Sequence, residues 1–292
     1  MIHPRRSLLF MPGSNARALE KARNLPADGI ILDLEDSVAP EAKGAARDQI
    51  AQAIAARGFG KREVLIRINA LDSPWWIDDL AMAGPARPDG ILVPKISSAE
   101  DLKTIADRLG AVGADPAIQV WAMIETARAV LHAEELAAAS RGANTRLAGF
   151  VFGPNDISRE TRIRMQPGRV AMLPLIIHCI LAARAYGLEI LDGPYSDFSN
   201  VDGFGQECTQ ARDLGFDGKT LIHPGQIGAC NAIFTPPEQE VAQARKIIAA
   251  FEQPENAARG AIRLDGQMVE RLHADMARRT IAIADAIAAM AH

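Results

Sequence analysis

The sequence predicts an α/β fold, a (β/α)8 barrel of the TIM type with a carboxy-terminal helical extension. Short apolar runs rich in β-branched residues alternate with longer alanine-rich segments, as repeated βα units require. Polar residues follow nearly every apolar run, at the edge where barrel enzymes carry their active sites. A chain of 292 residues that is 48% hydrophobic can also bury the core of such a barrel as one domain.

The apolar runs that predict the strands share a short length and turn signals at both ends. They are Ser7–Met11, Gly29–Leu34, Val64–Ile68, Gly90–Val93, Ile118–Ile124, Leu147–Phe152, Leu188–Leu191 and Gly218–Ile222. Eight in succession favour a closed barrel over an open doubly wound sheet, which usually has about five or six strands and often a glycine-rich phosphate loop. The lone turn glycine Gly13 does not make such a loop.

The segments between the runs have the pattern of helices. In Ser98–Leu109, Ser98 and Asp101 form a predicted capping box, and the apolar positions share one face. We expect the barrel to span residues 1–234. After two consecutive prolines, residues 235–292 form an extension with two predicted helices, 238–251 and 267–289, and no strand between them.

Composition and charge exclude several classes of partner. The net charge of -4 comes from 36 acidic and 32 basic residues mixed along the chain, which argues against nucleic acid. No apolar stretch reaches the roughly 20 residues that span a bilayer. The three cysteines Cys179, Cys208 and Cys230 lack Cys-x-x-Cys spacing and are odd in number, so we expect a reducing, cytoplasmic compartment.

Two carboxylates at neighbouring strand ends, Glu125 and Asp156, are the predicted metal ligands. They leave most of an octahedron open for water and substrate oxygens, which is the coordination that Mg2+ prefers. Histidine and cysteine clusters of the kind that hold zinc are missing from the sequence. The alternative is that either acid pairs with a nearby arginine or caps a helix.

Arg67 ends an apolar strand and is the predicted substrate-binding cation. A guanidinium there can bind a carboxylate in bidentate fashion or stabilise an enolate oxygen. Glu35 and Asp36, at the end of the adjacent strand, are expected to orient it, and a purely structural ion pair is the alternative. Alternation along the strand places Asp33 on the same side as Glu35 and opposite Asp36, so whether Asp33 also contacts Arg67 is left open.

Lys95 and His223 also follow predicted strands. Lys95 could form a Schiff base and perform aldol chemistry without metal, although neighbouring carboxylates favour its charged form. The alternative for Lys95 is an ordinary surface ion pair. His223 could act as a base, or it could shape the loop before Pro224 as a hydrogen-bond donor.

These segments together resemble the family of citrate lyase β subunits and their free-standing relatives that act on malyl-CoA, methylmalyl-CoA or citramalyl-CoA. The similarity covers essentially the whole chain. The segments that carry it are RRSLLFMPGSNARALEKA, DGIILDLEDSVAPEAK, VLIRIN, GILVPKI, MIET, FGPND, LDGPYSDF, GFDGKTLIHPGQI and NAIFTP.

The resemblance implies a (β/α)8 barrel that binds Mg2+, or Mn2+ in its place, through Glu125 and Asp156, with Arg67 holding the substrate at the metal. It implies a coenzyme A or acyl-carrier thioester whose arm crosses the barrel mouth near Lys95 and Ile222-His223-Pro224. In such relatives the metal chelates an α-keto acid, and a thioester enolate is the carbon nucleophile. The first expected function is therefore a carbon–carbon lyase acting on a malyl, citramalyl or citryl thioester.

Two departures from the family pattern bear on this expectation. Lyases of the family often close the site with an aspartate from a neighbouring subunit, in a Met-Ile-Asp-like motif that reads Met268-Val269-Glu270 here. Relatives often have small residues where this chain has Pro154 and Asn155, which we expect to contact the substrate. We expect Glu270 to take the catalytic place of the aspartate, in a homotrimer or a dimer of trimers.

Three other functions remain open. The family contains a thioesterase branch that hydrolyses malyl-CoA, and the region of Glu270 could belong with it. A Schiff-base aldolase that uses Lys95 is the next alternative. A non-catalytic thioester-binding subunit is the last, and the retention of Glu125 and Asp156 argues against it.

Overall fold

The computed structural model describes residues 3–142, 145–256 and 258–290. The chain forms two compact units, a barrel unit over Arg5–Phe234 and a carboxy-terminal unit that begins at Thr235. Among the described residues, no helix has the length and apolar character needed to cross a membrane.

The barrel unit contains eight parallel strands, each paired with the next, and β1 pairs with β8 to close the ring. This confirms the predicted fold class. Every predicted run became a strand, with ends that differ by at most one residue. The strands are β1 (Ser7–Pro12), β2 (Gly29–Asp33), β3 (Glu63–Arg67), β4 (Gly90–Val93), β5 (Gln119–Ile124), β6 (Leu147–Phe152), β7 (Glu189–Asp192) and β8 (Gly218–Leu221).

Helices connect the strands and cover the outside of the barrel. They are α1 (Ala16–Ala22), α2 (Lys43–Ala55), α3 (Trp76–Ala86), α4 (Ala99–Ala111), α5 (Ala127–Leu131), α6 (Ala133–Ala138), α7 (Pro154–Thr161), α8 (Leu173–Ala185), α9 (Val201–Leu214) and α10 (Ile227–Phe234). The capping box predicted before α4 is present, with the Ser98 and Asp101 side chains each accepting a backbone N–H of the other residue.

Alternation along the strands separates two apolar cores. One face of each strand packs against the helices, and the other fills the barrel interior with residues such as Leu65, Leu92, Trp121 and Met123. Trp121 requires a glycine opposite it, because a Cβ on Gly149 would lie 2.5 Å from its ring. This packed interior holds the carboxyl ends of the strands in position.

Ion pairs lie at the amino-terminal end of the barrel. Arg5 donates two hydrogen bonds of 2.7 Å to Glu63, and its guanidinium lies 4.9 Å from the centre of the Trp121 ring. The bidentate ion pair of Arg5 and Glu63, with Arg5 stacked on Trp121, therefore stabilises this end of the barrel.

The carboxy-terminal unit contains α11 (Glu238–Phe251), a two-stranded antiparallel sheet of β9 (Ala261–Leu264) and β10 (Gln267–Glu270), and α12 (Arg271–Met290). The first predicted helix is confirmed. The second predicted helix is confirmed as α12, but it begins at Arg271 and not at residue 267. The prediction that this region contains no strand is wrong. Asp265 and Gly266 have φ values of 51° and 83°, the torsions of a two-residue hairpin turn, so residues on both sides pair as strands.

Candidate active site

A cavity of about 320 Å3 opens at the carboxyl ends of the strands. Of the residues selected from the sequence, the cavity wall includes Arg67, Glu125, Asp156, Asp36, Pro154 and Asn155. Its other lining residues are Phe10, Asp33, Ser37, Met123, Gly153, Pro194 and Ile222. The barrel mouth thus brings the predicted metal ligands and the predicted substrate-binding cation into one space.

Arg67 is held mainly by Asp33. Its Nε and Nη2 donate to the two carboxylate oxygens of Asp33 at 2.6 and 2.7 Å, and its guanidinium lies 4.7 Å from the centre of the Phe10 ring. Both residues end their strands and are paired in register, with the side chains on the inner face. The sequence alone left the role of Asp33 open, because the register between two neighbouring strands cannot be read from the sequence of either strand.

The charges of this pair are mutually stabilised. Burial disfavours both charges, but Arg67 outweighs that effect and lowers the pKa of Asp33. Burial likewise opposes the charge on Arg67, and Asp33 and Glu35 more than compensate, so the pKa of Arg67 is raised. The pair is therefore ionised at neutral pH, with its arginine available to an anionic ligand.

Glu35 and Asp36 contact Arg67 less closely than Asp33 does. Glu35 Oε2 lies 3.0 Å from Arg67 Nη1 but without hydrogen-bond alignment, and Asp36 is exposed with a separation of 3.7 Å. Burial raises the pKa of Glu35 despite the attraction of Arg67 and a hydrogen bond from Lys95. Both predicted partners are thus present around Arg67, in supporting positions.

Lys95 binds two carboxylates through different groups. Its ammonium donates to Glu35 Oε1 at 2.9 Å, and its backbone N–H donates to Glu125 Oε1 at 2.8 Å. The backbone is left-handed, with φ of 53°, which is uncommon for a residue with a side chain. Burial lowers the pKa of the ammonium, but the bond to Glu35 outweighs it and raises the pKa, which works against Schiff-base formation.

Glu125 is buried immediately after β5. Burial and the nearby charge of Glu35 raise its pKa to about 7, against the lowering effect of the Lys95 N–H. Gly153 makes room for it, because a Cβ at that position would lie 2.4 Å from Glu125 Cβ. The carboxyl group therefore lies among like charges, in a place that favours a cation.

Asp156 lies in the first turn of α7, beyond the end of β6. Its carboxylate pairs with the Arg159 guanidinium at 2.7 Å, and its role as a metal ligand stays a prediction. The Arg159 side chain is 76% exposed, so another cation can displace it from Asp156 at little cost. Pro154, at the start of α7, is buried, whereas Asn155 is exposed at the cavity rim.

The cavity carries an excess of carboxylates. Asp33, Asp36, Glu125 and Asp156 line it, and Arg67 is the one cation among its described lining residues. No cluster of three or more histidine, cysteine or acidic residues that could hold a metal occurs in the described part of the chain. Two carboxylates with open positions still fit Mg2+, which keeps several waters and often uses only one or two protein carboxylates.

His223 and Glu270 are placed differently. His223 stacks on Phe198, with ring centres 4.9 Å apart, and its Nδ1 accepts the Gly225 N–H at 3.1 Å. His223 thus shapes the loop, but as a hydrogen-bond acceptor and not as the expected donor. The neighbouring Ile222 lines the cavity, and His223 is not among the lining residues. Glu270 ends β10 in the carboxy-terminal unit, where its backbone N–H donates to His273 Nδ1 at 2.9 Å.

Several lining residues were not identified from the sequence. Phe10 and Met123 continue the inward alternation of Leu8 and Trp121, so strand alternation could have found them. Pro194 lies in a loop, where no periodicity indicates which side chains face the cavity.

The family model for HpcH/HpaI aldolase/citrate lyase matches residues 6–224, which is most of the barrel unit. The chain belongs to this family. Within the family, it is 45% identical to a (3S)-malyl-CoA thioesterase of Cereibacter sphaeroides, over 98% of this chain and 97% of the relative. It is 35% identical to citrate lyase subunit beta of Escherichia coli, over 96% of this chain and 93% of the relative.

A solved structure of a family member supports the same architecture. The CitE protein of Mycobacterium tuberculosis, in complex with magnesium, acetoacetate and coenzyme A, matches with a TM-score of 0.74 at 29% identity. The match covers 96% of this chain and 97% of CitE. The resemblance to citrate lyase β subunits drawn from the sequence is therefore confirmed.

Proposed function

We propose that this HpcH/HpaI family member is a Mg2+-dependent enzyme that hydrolyses a short 3-hydroxyacyl-CoA thioester of the malyl type. The observation that carries the hydrolytic assignment is the 45% identity to the (3S)-malyl-CoA thioesterase, against 35% to citrate lyase subunit beta. Sequence reasoning placed the lyase first. Because the identity to the thioesterase is higher, we rank hydrolysis above carbon–carbon cleavage.

The residues that would bind the substrate surround the cavity. Glu125 and Asp156 would hold Mg2+, or Mn2+, and Arg67 would bind the carboxylate of the hydroxy-acid end through the N–H groups that Asp33 does not use. The metal, when bound, supplies Lewis-acid polarisation of the substrate oxygens. The coenzyme A arm would leave through the open mouth, near Ile222.

Hydrolysis requires that a water oxygen bond to the thioester carbonyl carbon while the carbon–sulfur bond breaks. The coenzyme A sulfur leaves with a proton from the water, and the free hydroxy diacid remains. Holding the hydroxy-acid end at Arg67 would keep the thioester in one orientation at the mouth, which is the positioning contribution of this chain.

Carbon–carbon cleavage is the second candidate, and the geometry of Arg67, Glu125 and Asp156 favours it. Those three residues suffice to bind an α-keto acid and to stabilise an enolate, whereas no residue stands out as a hydrolytic base. A Schiff-base aldolase ranks lower, because Glu35 holds the Lys95 ammonium in its charged form.

One product analysis separates these candidates. The full chain would be incubated with Mg2+ and malyl-, citramalyl- or citryl-CoA, with Glu125→Gln as the inactive control. We expect free acid and coenzyme A in equal amounts. A keto acid together with a shorter acyl-CoA would establish the lyase instead, and turnover of no thioester would reject both.

A metal test addresses the mechanism separately. We expect excess EDTA to abolish turnover and added Mg2+ or Mn2+ to restore it, while borohydride with substrate leaves activity intact. Full activity in EDTA, or borohydride trapping on Lys95, would support the Schiff-base mechanism.

A further inference from the structure

We propose that Lys95 positions the metal ligand Glu125 through its backbone N–H, and that the ion pair of Lys95 with Glu35 holds the backbone in the conformation that this requires. The proposal rests on the proposed function, because it takes Glu125 as a ligand of Mg2+. It gives Lys95 a role that needs neither a Schiff base nor contact with the thioester.

The two oxygens of the Glu125 carboxylate face different neighbouring strands. Oε1 accepts the Lys95 N–H at 2.8 Å, from the loop that follows β4. Oε2 lies on the side of β6, since a Cβ added to Gly153 would come within 3.0 Å of it. Asp156, the other proposed ligand, lies beyond β6 in the first turn of α7. The Lys95 N–H therefore orients the carboxylate so that Oε2 is turned to the side on which Asp156 lies.

The direction of this N–H depends on the backbone torsion of Lys95. Pro94 and Ile96 are both buried, so the chain on either side of Lys95 has little freedom to move. A change from the left-handed φ of 53° would have to be absorbed by rotation of the Pro94–Lys95 peptide, which carries the N–H. Such a rotation would move the donor away from Glu125 Oε1.

The left-handed conformation is unfavourable for a residue with a Cβ, so other contacts must stabilise it. Lys95 Nζ donates to Glu35 Oε1 at 2.9 Å. Glu35 is itself fixed, because its N–H donates to Asp33 Oδ1 at 2.9 Å and its carbonyl accepts from Lys43 Nζ at 3.0 Å. The ion pair thus ties Lys95 to a well-anchored loop and stabilises its backbone.

Two substitutions separate this positioning role from the charge of Lys95. Lys95→Ala and Lys95→Gly remove the same charge and the same ion pair, so the electrostatic effect on a nearby cation is equal in both. Glycine alone adopts the left-handed conformation without a steric penalty. In calorimetric titrations of the full chain with MgCl2, Lys95→Gly should bind Mg2+ at least about fivefold more tightly than Lys95→Ala, because its N–H more often stays on Glu125.

Arg87 offers a matched control for the backbone effect. It is exposed, has a φ of 54°, and lies before β4, at the opposite end of the same strand. Arg87→Ala should be less stable than Arg87→Gly in urea unfolding, for the same steric reason. The two Arg87 variants should nevertheless bind Mg2+ with equal affinity.

The outcomes distinguish the positioning role from the proposed function. Equal Mg2+ affinities of Lys95→Ala and Lys95→Gly would overturn the positioning role while leaving the metal site in place. An equally large difference between the two Arg87 variants would also overturn it, because the effect would then follow from stability alone. Failure of the unmodified protein to bind Mg2+ would reject the proposed metal site, and the positioning role with it.

Discussion

At the scale of single residues, the candidate site depends on which groups satisfy Arg67. Its guanidinium is buried and donates two coplanar N–H groups to the Asp33 carboxylate, so both the charge and the planar shape of Arg67 matter. Asp33 therefore positions the residue that we propose to bind the substrate carboxylate, and Glu35 and Asp36 support it.

Arg67→Lys should lower turnover by about 100-fold or more, because lysine retains the charge but cannot bind Asp33 and a substrate carboxylate as a planar fork. The folded state should survive with a loss of about 1–3 kcal/mol, from the weakened charged hydrogen bonds. Steady-state kinetics and denaturant unfolding measure the two effects. Near-normal turnover would show that Arg67 has no role in the chemistry, and unfolding of the variant would indicate a structural ion pair.

Gly153→Ala should weaken Mg2+ binding by about tenfold or more, because the added Cβ would lie 2.4 Å from Glu125 Cβ and 3.0 Å from its Oε2, displacing the proposed ligand. Calorimetric titration of Mg2+ measures the change. Gly44→Ala is the matched control, since a Cβ there meets nothing within 4 Å. Unchanged affinity in Gly153→Ala would argue against Glu125 as a ligand.

At the scale of secondary-structure elements, a buried ion cluster joins β7 and β8. Asp192 accepts from Lys219 at 2.7 Å and from Arg169 at 2.8 and 2.9 Å, and Lys219 also donates to Glu207 at 2.8 Å. Burial opposes the charge on Asp192, but Lys219 and Arg169 outweigh it and lower its pKa. The cluster fixes the strand end that leads to the cavity-lining Pro194.

The pH dependence of stability should reflect this lowered pKa. The contribution of Asp192 is fully present above the ordinary aspartate value of 3.8 and is lost as the pH falls through the lower folded-state pKa. Asp192→Asn should lose about 3–5 kcal/mol at neutral pH, because Lys219 and Arg169 lose their charged partner. The variant should also show a shallower decline in unfolding free energy below pH 3.8 than the unmodified protein.

Urea unfolding across this acidic range measures both effects. Asp213→Asn is the control, because Asp213 is 61% exposed and pairs with Arg212 at the surface. Parallel acid profiles for the unmodified protein and Asp192→Asn would show that Asp192 does not carry the linkage.

The hairpin in the carboxy-terminal unit shows how a local signal was missed. Apolar periodicity suggested a helix from residue 267, but Asp265-Gly266 between alternating apolar residues is itself a strong hairpin signal. The turn torsions decide the pairing, and Ile262 and Val269 then join Phe251 in a small core. The strands could therefore have been predicted from the sequence.

At the scale of the whole molecule, the carboxy-terminal unit exposes apolar side chains. Met268, Leu272 and Met276 are 71%, 53% and 64% exposed. We propose that these side chains contact another subunit in a trimer or a dimer of trimers. The segment around Glu270 would then cover the active-site mouth of that neighbouring subunit.

The double variant Leu272→Glu and Met276→Glu should dissociate the assembly and lower turnover together, because two buried charges oppose association. Light scattering gives the mass, and kinetics on the same samples give the turnover. Leu131→Glu, at a 78% exposed position of the barrel unit, is the control. An active monomer would show that neither the assembly nor Glu270 takes part in the chemistry.

The sequence by itself determined the barrel and the location of its site. Apolar runs, their alternation and the charges at their ends are local properties, so Arg67, Glu125 and Asp156 could be placed at one mouth without coordinates. The tertiary structure decided which groups meet. Register between strands paired Asp33 with Arg67, and loop torsions turned His223 onto Phe198, because both depend on contacts between segments distant in the chain or on backbone angles that periodicity does not encode.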